Sequence, residues 1–62
     1  MNDQKVAIVT GGARGIGRAI ALELAVAGYY IVINYKSNDQ AAEETLKMIR
    51  TAGGDGEKAR FD

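Results

Sequence analysis

Apolar residues change their spacing along the chain, and each change marks an element. Lys5-Val6-Ala7-Ile8-Val9-Thr10 is a short β-branched run, apolar on both alternating faces and stopped by Gly11-Gly12, which suits a buried parallel strand. From about Gly15 to Ala27, Ile16, Ala19, Ile20, Leu24 and Ala27 recur at helical spacing, while Arg18 and Glu23 lie off that stripe; a helix follows. Gly28 falls just past the last periodic residue, where a left-handed cap is expected. Tyr29-Tyr30-Ile31-Val32-Ile33-Asn34-Tyr35 is aromatic and β-branched, a second strand. Ser37 with Gln40 three residues on fits a capping box that opens a second helix. In that helix Ala42, Leu46 and Ile49 mark the inner stripe, with Thr45, Met48 and Ala52 beside it. Glu43 and Lys47 stand as an i,i+4 pair on the opposite side. Gly53-Gly54-Asp55-Gly56 reads as the loop that ends it. Glu57 to Asp62 reads as a third strand, only half apolar as at a sheet edge.

The order strand, helix, strand, helix, strand with short loops demands parallel strands and right-handed crossovers. Two such crossovers stepping the same way place both helices on one face of a sheet of order 3-2-1. Val6 and Ile8 then point to one face and Ala7 and Val9 to the other, with Tyr30/Val32 and Ile31/Ile33 divided likewise. Only one face receives helices, and the first strand is an open apolar edge. The fold expected is α/β, and residues 1–62 are the N-terminal βαβαβ half of a doubly wound parallel sheet. A further half, beyond these residues, is expected to cover the second face and pair with the first strand.

Composition narrows this picture. The chain has 62 residues, which is one domain at most. It has no Cys and no His, so neither a disulfide framework nor an ordinary structural zinc site is expected, and no metal site is assigned. Eight basic residues balance eight acidic ones, which argues against a nucleic-acid partner. No apolar run approaches the ~20 residues of a membrane span, and the N-terminus lacks a basic-then-apolar leader. A cytoplasmic chain without nucleic-acid or membrane partners is the expectation.

The chemistry lies in Thr10-Gly11-Gly12-Ala13-Arg14-Gly15-Ile16-Gly17, which joins the first strand to the first helix. Gly11 permits the sharp exit from the strand. Gly15 lets backbone approach a phosphate, and Gly17 lets the helix pack closely on the sheet. The opening turn of a helix adds unpaired N–H groups and a positive dipole end, which together favour a pyrophosphate. Any strand-to-helix turn recruits glycines, but this one follows a strand, opens a helix and lies in a unit of the right length.

Thr10-Gly11-Gly12-Ala13-Arg14-Gly15-Ile16-Gly17-Arg18-Ala19-Ile20-Ala21 closely resembles the N-terminal cofactor motif of the short-chain dehydrogenase/reductases, most of all the 3-oxoacyl-[acyl-carrier-protein] reductases of fatty-acid synthesis. The likeness runs through the Asn34-Tyr35-Lys36-Ser37-Asn38 loop and the Glu43-Glu44 helix to Asp62. It implies a Rossmann fold in which Gly11, Gly12, Ala13, Arg14, Gly15, Ile16 and Gly17 form the pyrophosphate and adenosine-ribose loop. It implies that Asp62 contacts adenine. It also implies a homo-oligomer at full length and a substrate that is a small molecule or is held on an acyl carrier protein. Tyr29, Tyr30 and Tyr35 are expected to be packing residues of a strand, with Tyr35 also a candidate for lining the adenosine pocket.

An NAD-preferring site places a carboxylate about 20 residues past the glycine loop to receive the ribose hydroxyls. Asn34 stands at the end of the second strand instead, followed by Lys36 and Ser37, with Arg14 in the loop itself. Two cations and a hydroxyl suit a 2′-phosphate through charge-assisted bonds, so NADP(H) is the expected cofactor. The family's catalytic Tyr-x-x-x-Lys pair has no match: Tyr29, Tyr30 and Tyr35 are followed four positions on by Ile33, Asn34 and Asp39, and Ser37 is the only serine. No catalytic residue is assigned. The expected function is the NADPH-binding part of a carbonyl reductase that converts a 3-oxoacyl thioester to its 3-hydroxyacyl form. The alternatives are a relative acting on a sugar, steroid or other small alcohol or ketone, a stand-alone nucleotide-binding fragment without catalysis, and a small interaction domain docking through its apolar sheet face.

Overall fold

A computed structural model describes residues 4–11 and 15–60. Its elements are β1 (Val6–Thr10), α1 (Gly15–Val26), β2 (Tyr30–Tyr35), α2 (Asp39–Thr51) and β3 (Asp55–Arg60). All three strands are parallel. The hydrogen-bonded order is β1-β2-β3, with β2 in the centre and Val9 opposite Ile33, itself opposite Lys58. The Gly11 N–H donates to the Asn34 carbonyl at 3.1 Å, carrying the β1–β2 ladder one residue past the strand.

Strand alternation separates a helix-covered face from an open one. Val9, Ile31, Ile33 and Tyr35 are buried on the covered side, packed with Ala21 and Ala25 of α1 and Ala42, Leu46 and Ile49 of α2. Full burial of side chains such as Ile31, Ile33 and Ile49 contributes about 1.5–3 kcal/mol each. Val6 and Ile8, on the other side, are 61% and 64% exposed. The division of faces read from the sequence is therefore present.

Helix α1 corrects the expected stripe. Ile16 is 81% exposed and Ile20 45% exposed, Ala19 and Ala27 are also exposed, and of that set only Leu24 is half-buried. The inner face is instead Gly17, Ala21 and Ala25. Small residues at i, i+4 and i+8 let the helix axis approach the sheet, so the bulky stripe turns outward. Gly28 takes φ 101° and donates to the Ala25 carbonyl, the left-handed cap expected there.

Helix α2 buries Ala41, Ala42, Thr45, Leu46 and Ile49. Its cap is Asn38 rather than Ser37: the Ala41 N–H donates to Asn38 Oδ1 at 3.0 Å. Both residue types cap well, and Asn38 is the one adjoining the first turn. Glu43 turns to Lys58 of β3 at 2.8 Å, not to Lys47. Strand β3 also begins earlier than expected. Asp55 and Gly56 belong to it and pair with Tyr30 and Ile31, because a residue without a side chain is what that close approach to β2 requires. Phe61 and Asp62 lie outside the described residues.

Candidate functional site

Parallel strands joined by helices bring the C-terminal ends of β1 and β2 and the first turns of α1 and α2 to one edge of the layer. Gly11 and Gly15, the two described glycines of the β1–α1 turn, both have φ 67°. L side chains rarely occupy that region, so the turn specifies glycine at each. A Cβ at either would meet nothing within 4 Å, which leaves open approach to the backbone at the mouth of α1. Gly12, Ala13 and Arg14, expected between them, and Asp62, expected at the end of β3, lie outside the described residues. Ile16 is exposed and Gly17 half-buried in the first turn of α1.

At the end of β2, Asn34 is half-buried and its Nδ2 donates to the Ala59 carbonyl at 3.4 Å. Its main chain receives the Gly11 bond, so the glycine turn and the tip of β2 are tied together. Lys36 and Ser37 are exposed in the loop between β2 and α2. Tyr35 does not join them: its ring is 9% exposed beneath α2, and its hydroxyl donates to Asp39 Oδ1. The structure thus brings Gly11, Gly15, Asn34, Lys36 and Ser37 to one edge, and gives the Tyr35 ring a packing position.

Sequence reading missed Arg18. From the first turn of α1 it crosses to α2, its Nε donating to Thr45 Oγ1 at 2.8 Å and its Nη2 to the Ala41 carbonyl at 3.1 Å. Glu44 adds an ion pair at 3.5 Å. Thr45 is fully buried and donates in turn to the Ala41 carbonyl. Arg18, Asn38, Gln40, Ala41 and Glu44 line a cleft of about 310 Å³ between the two helix starts. The guanidinium therefore fixes the mouth of α1 relative to the loop that carries Lys36 and Ser37.

A second cluster was also not legible in the sequence. Lys58 Nζ lies 2.9 Å from Asp39 Oδ1 and 2.8 Å from Glu43 Oε2. The bonds to Glu43 and Asp39 hold the Lys58 ammonium above the usual lysine range. The Tyr35 hydroxyl and Lys58 hold Asp39 below the usual carboxylate range, and Lys58 does the same for Glu43. The bond to Asp39 raises the Tyr35 hydroxyl, as the bond to Glu57 raises that of Tyr30. A depressed carboxylate adds stability above its unfolded value near 4, and that stability is lost as pH falls through the folded value. Asp39→Asn should therefore lower the urea midpoint of the full-length protein at about pH 7, with the gap from wild type closing by about pH 2. A gap of equal size at both pH values would contradict this.

Among the described residues no helix is long and apolar enough to cross a membrane. A family model described as short chain dehydrogenase matches residues 5–62. The uncharacterized oxidoreductase YgfF of Escherichia coli is 55% identical over 49 residues, which are 79% of this chain and 20% of that protein. A 3-oxoacyl-[acyl-carrier-protein] reductase of Staphylococcus aureus is 46% identical over 55 residues, 89% of this chain and 22% of the relative. The solved structure of a metagenomic short-chain oxidoreductase in complex with NADP superposes with a TM-score of 0.87 at 36% identity, over 94% of this chain and 26% of the other. The chain thus spans about a fifth of the length of these curated relatives.

Proposed function

The chain belongs to the short chain dehydrogenase family, matched over residues 5–62, and from that premise we propose that it is the NADP(H)-holding part of a longer carbonyl reductase. The observation that carries this reading is the edge where Gly11 and Gly15, both at φ 67°, lie beside the end of β2, which carries Asn34 as its penultimate residue and is followed by Lys36 and Ser37. The residues fit the group. Open space around Gly11 and Gly15 admits a pyrophosphate to main-chain N–H groups at the positive end of α1. Neutral Asn34 puts no carboxylate charge against a ribose 2′-phosphate, and Lys36, Ser37 and Arg14 supply a hydroxyl and two cations for it. When bound, the nicotinamide supplies the hydride; these residues bind and orient the dinucleotide.

The preferred substrate is a 3-oxoacyl thioester, which would be reduced to the 3-hydroxyacyl form. The resemblance of the Thr10–Ala21 segment supports this, as does the similarity to the Staphylococcus aureus protein. Fluorescence titration of the full-length protein tests the cofactor: NADPH is expected to bind more tightly than NADH. Arg14→Ala with Lys36→Ala is expected to weaken NADPH about tenfold and to leave NADH within about twofold. Equal or tighter binding of NADH by the wild type would refute the assignment. Turnover of a 3-oxoacyl thioester, compared with a simple ketone and a sugar, tests the substrate class.

A further inference from the structure

Lys36 and Ser37 are carried by a loop with one tether from outside itself and α2 among the described residues. Arg60, the last residue of β3, donates from Nε to the Lys36 carbonyl at 3.0 Å. The other bonds at this turn are local: the Asp39 N–H to the Ser37 carbonyl, and the Ala41 and Ala42 N–H groups to Asn38. Arg60 is exposed, and among the described residues its terminal Nη atoms have no hydrogen-bond or ion-pair partner. The nearest carboxylate cluster is already served: Asp39 takes Lys58 and the Tyr35 hydroxyl, and Glu43 takes Lys58.

We propose that Arg60 is a specificity-determining residue for the dinucleotide: Nε fixes the loop that carries Lys36 and Ser37, and the remaining guanidinium N–H groups receive the same ribose 2′-phosphate. This rests on the NADP(H) reading above. A guanidinium holds a carbonyl with one nitrogen and a phosphate with others because its donors form a rigid planar fork, which an ammonium lacks. The position is set by register, since Arg60 pairs with Tyr35 at the tip of β2.

The test uses the full-length protein with NADPH, NADH and 2′-AMP as probes. Arg60→Met keeps the stem and removes the charge. It is expected to weaken NADPH and 2′-AMP about tenfold while NADH stays within about twofold. It should also flatten the salt dependence of NADPH binding, which mere support of the loop would not do. Arg60→Lys restores the charge without the fork and is expected to lose about threefold for NADPH. That variant stands alone as the test if Arg60→Met fails to fold. Equal losses for NADPH and NADH, or no loss for either variant, would overturn the role of Arg60. If the wild type prefers NADPH and the Arg14/Lys36 pair matters while Arg60 does not, this inference alone falls. If the wild type prefers NADH, the cofactor reading falls with it.

Discussion

Gly56→Val is expected to abolish folding of the full-length protein or to lower its stability by about 3 kcal/mol or more. A Cβ on Gly56 would stand 2.3 Å from the Ile31 carbonyl oxygen, 3.1 Å from its carbon and 3.2 Å from the Ile31 Cβ. The first two are backbone atoms of the central strand, fully buried at Ile31, so no side-chain rotation relieves the clash. Relief requires β3 to move from β2, which breaks the pairing of Gly56 with Ile31 and of its neighbours on either side. Against a total stability of about 5–15 kcal/mol, such a loss unfolds a large share of molecules. Urea denaturation followed by circular dichroism measures it. A midpoint within experimental error of wild type would show that β3 does not approach β2 as described.

Gly15→Val is expected to do the reverse, leaving the protein folded and removing its cofactor. The space around Gly15 is open, so the cost to stability is that of a side chain at φ 67°, about 1–2 kcal/mol. Binding suffers more. A branched side chain at the mouth of α1 occupies the approach to the helix N–H groups, and relaxing φ turns those groups from the ligand. The expected loss of NADPH affinity is about 100-fold, or ~2.7 kcal/mol. NADH affinity should fall by a similar factor, because the pyrophosphate is common to both. This separates Gly15 from Arg60, whose replacement is expected to act on NADPH alone. Affinity within about threefold of wild type for Gly15→Val would remove this turn from the binding site.

The difference between these glycines explains what the sequence disclosed. Gly11 and Gly15 stand in a spaced pattern between a β-branched run and a helical one, so their role follows from local context. Gly56 lies in Gly53-Gly54-Asp55-Gly56, whose composition reads as a turn; that it is a strand residue depends on where β2 passes. Strands β1 and β2 were legible because Val and Ile cluster in both and Tyr in the second, whereas β3, with none of these residues, was placed late. The inner face of α1 was not. Ile16, Ile20 and Leu24 form one apolar stripe and Gly17, Ala21 and Ala25 another, and periodicity ranks the bulkier first. Close packing on the sheet selects the smaller. The ties of Arg18 to Thr45 and of Lys58 to Asp39 join residues far apart in the chain, and only the crossovers bring them together. Asn34, Lys36 and Ser37 were singled out through chemistry, as the absence of an acid, whereas Arg60 carried no signal until β3 was aligned with β2.

The open side of the sheet bears on protein engineering. Val6 and Ile8 stand exposed there, on the face turned from both helices, while the edge proposed to hold the dinucleotide lies at the strand tips. In a chimera that grafts this segment onto another member of the family, compatibility would therefore be decided by side-chain volume along that seam. On the proposed cofactor reading, preference for one dinucleotide would travel with the graft as a cassette, separable from whatever chemistry the recipient performs.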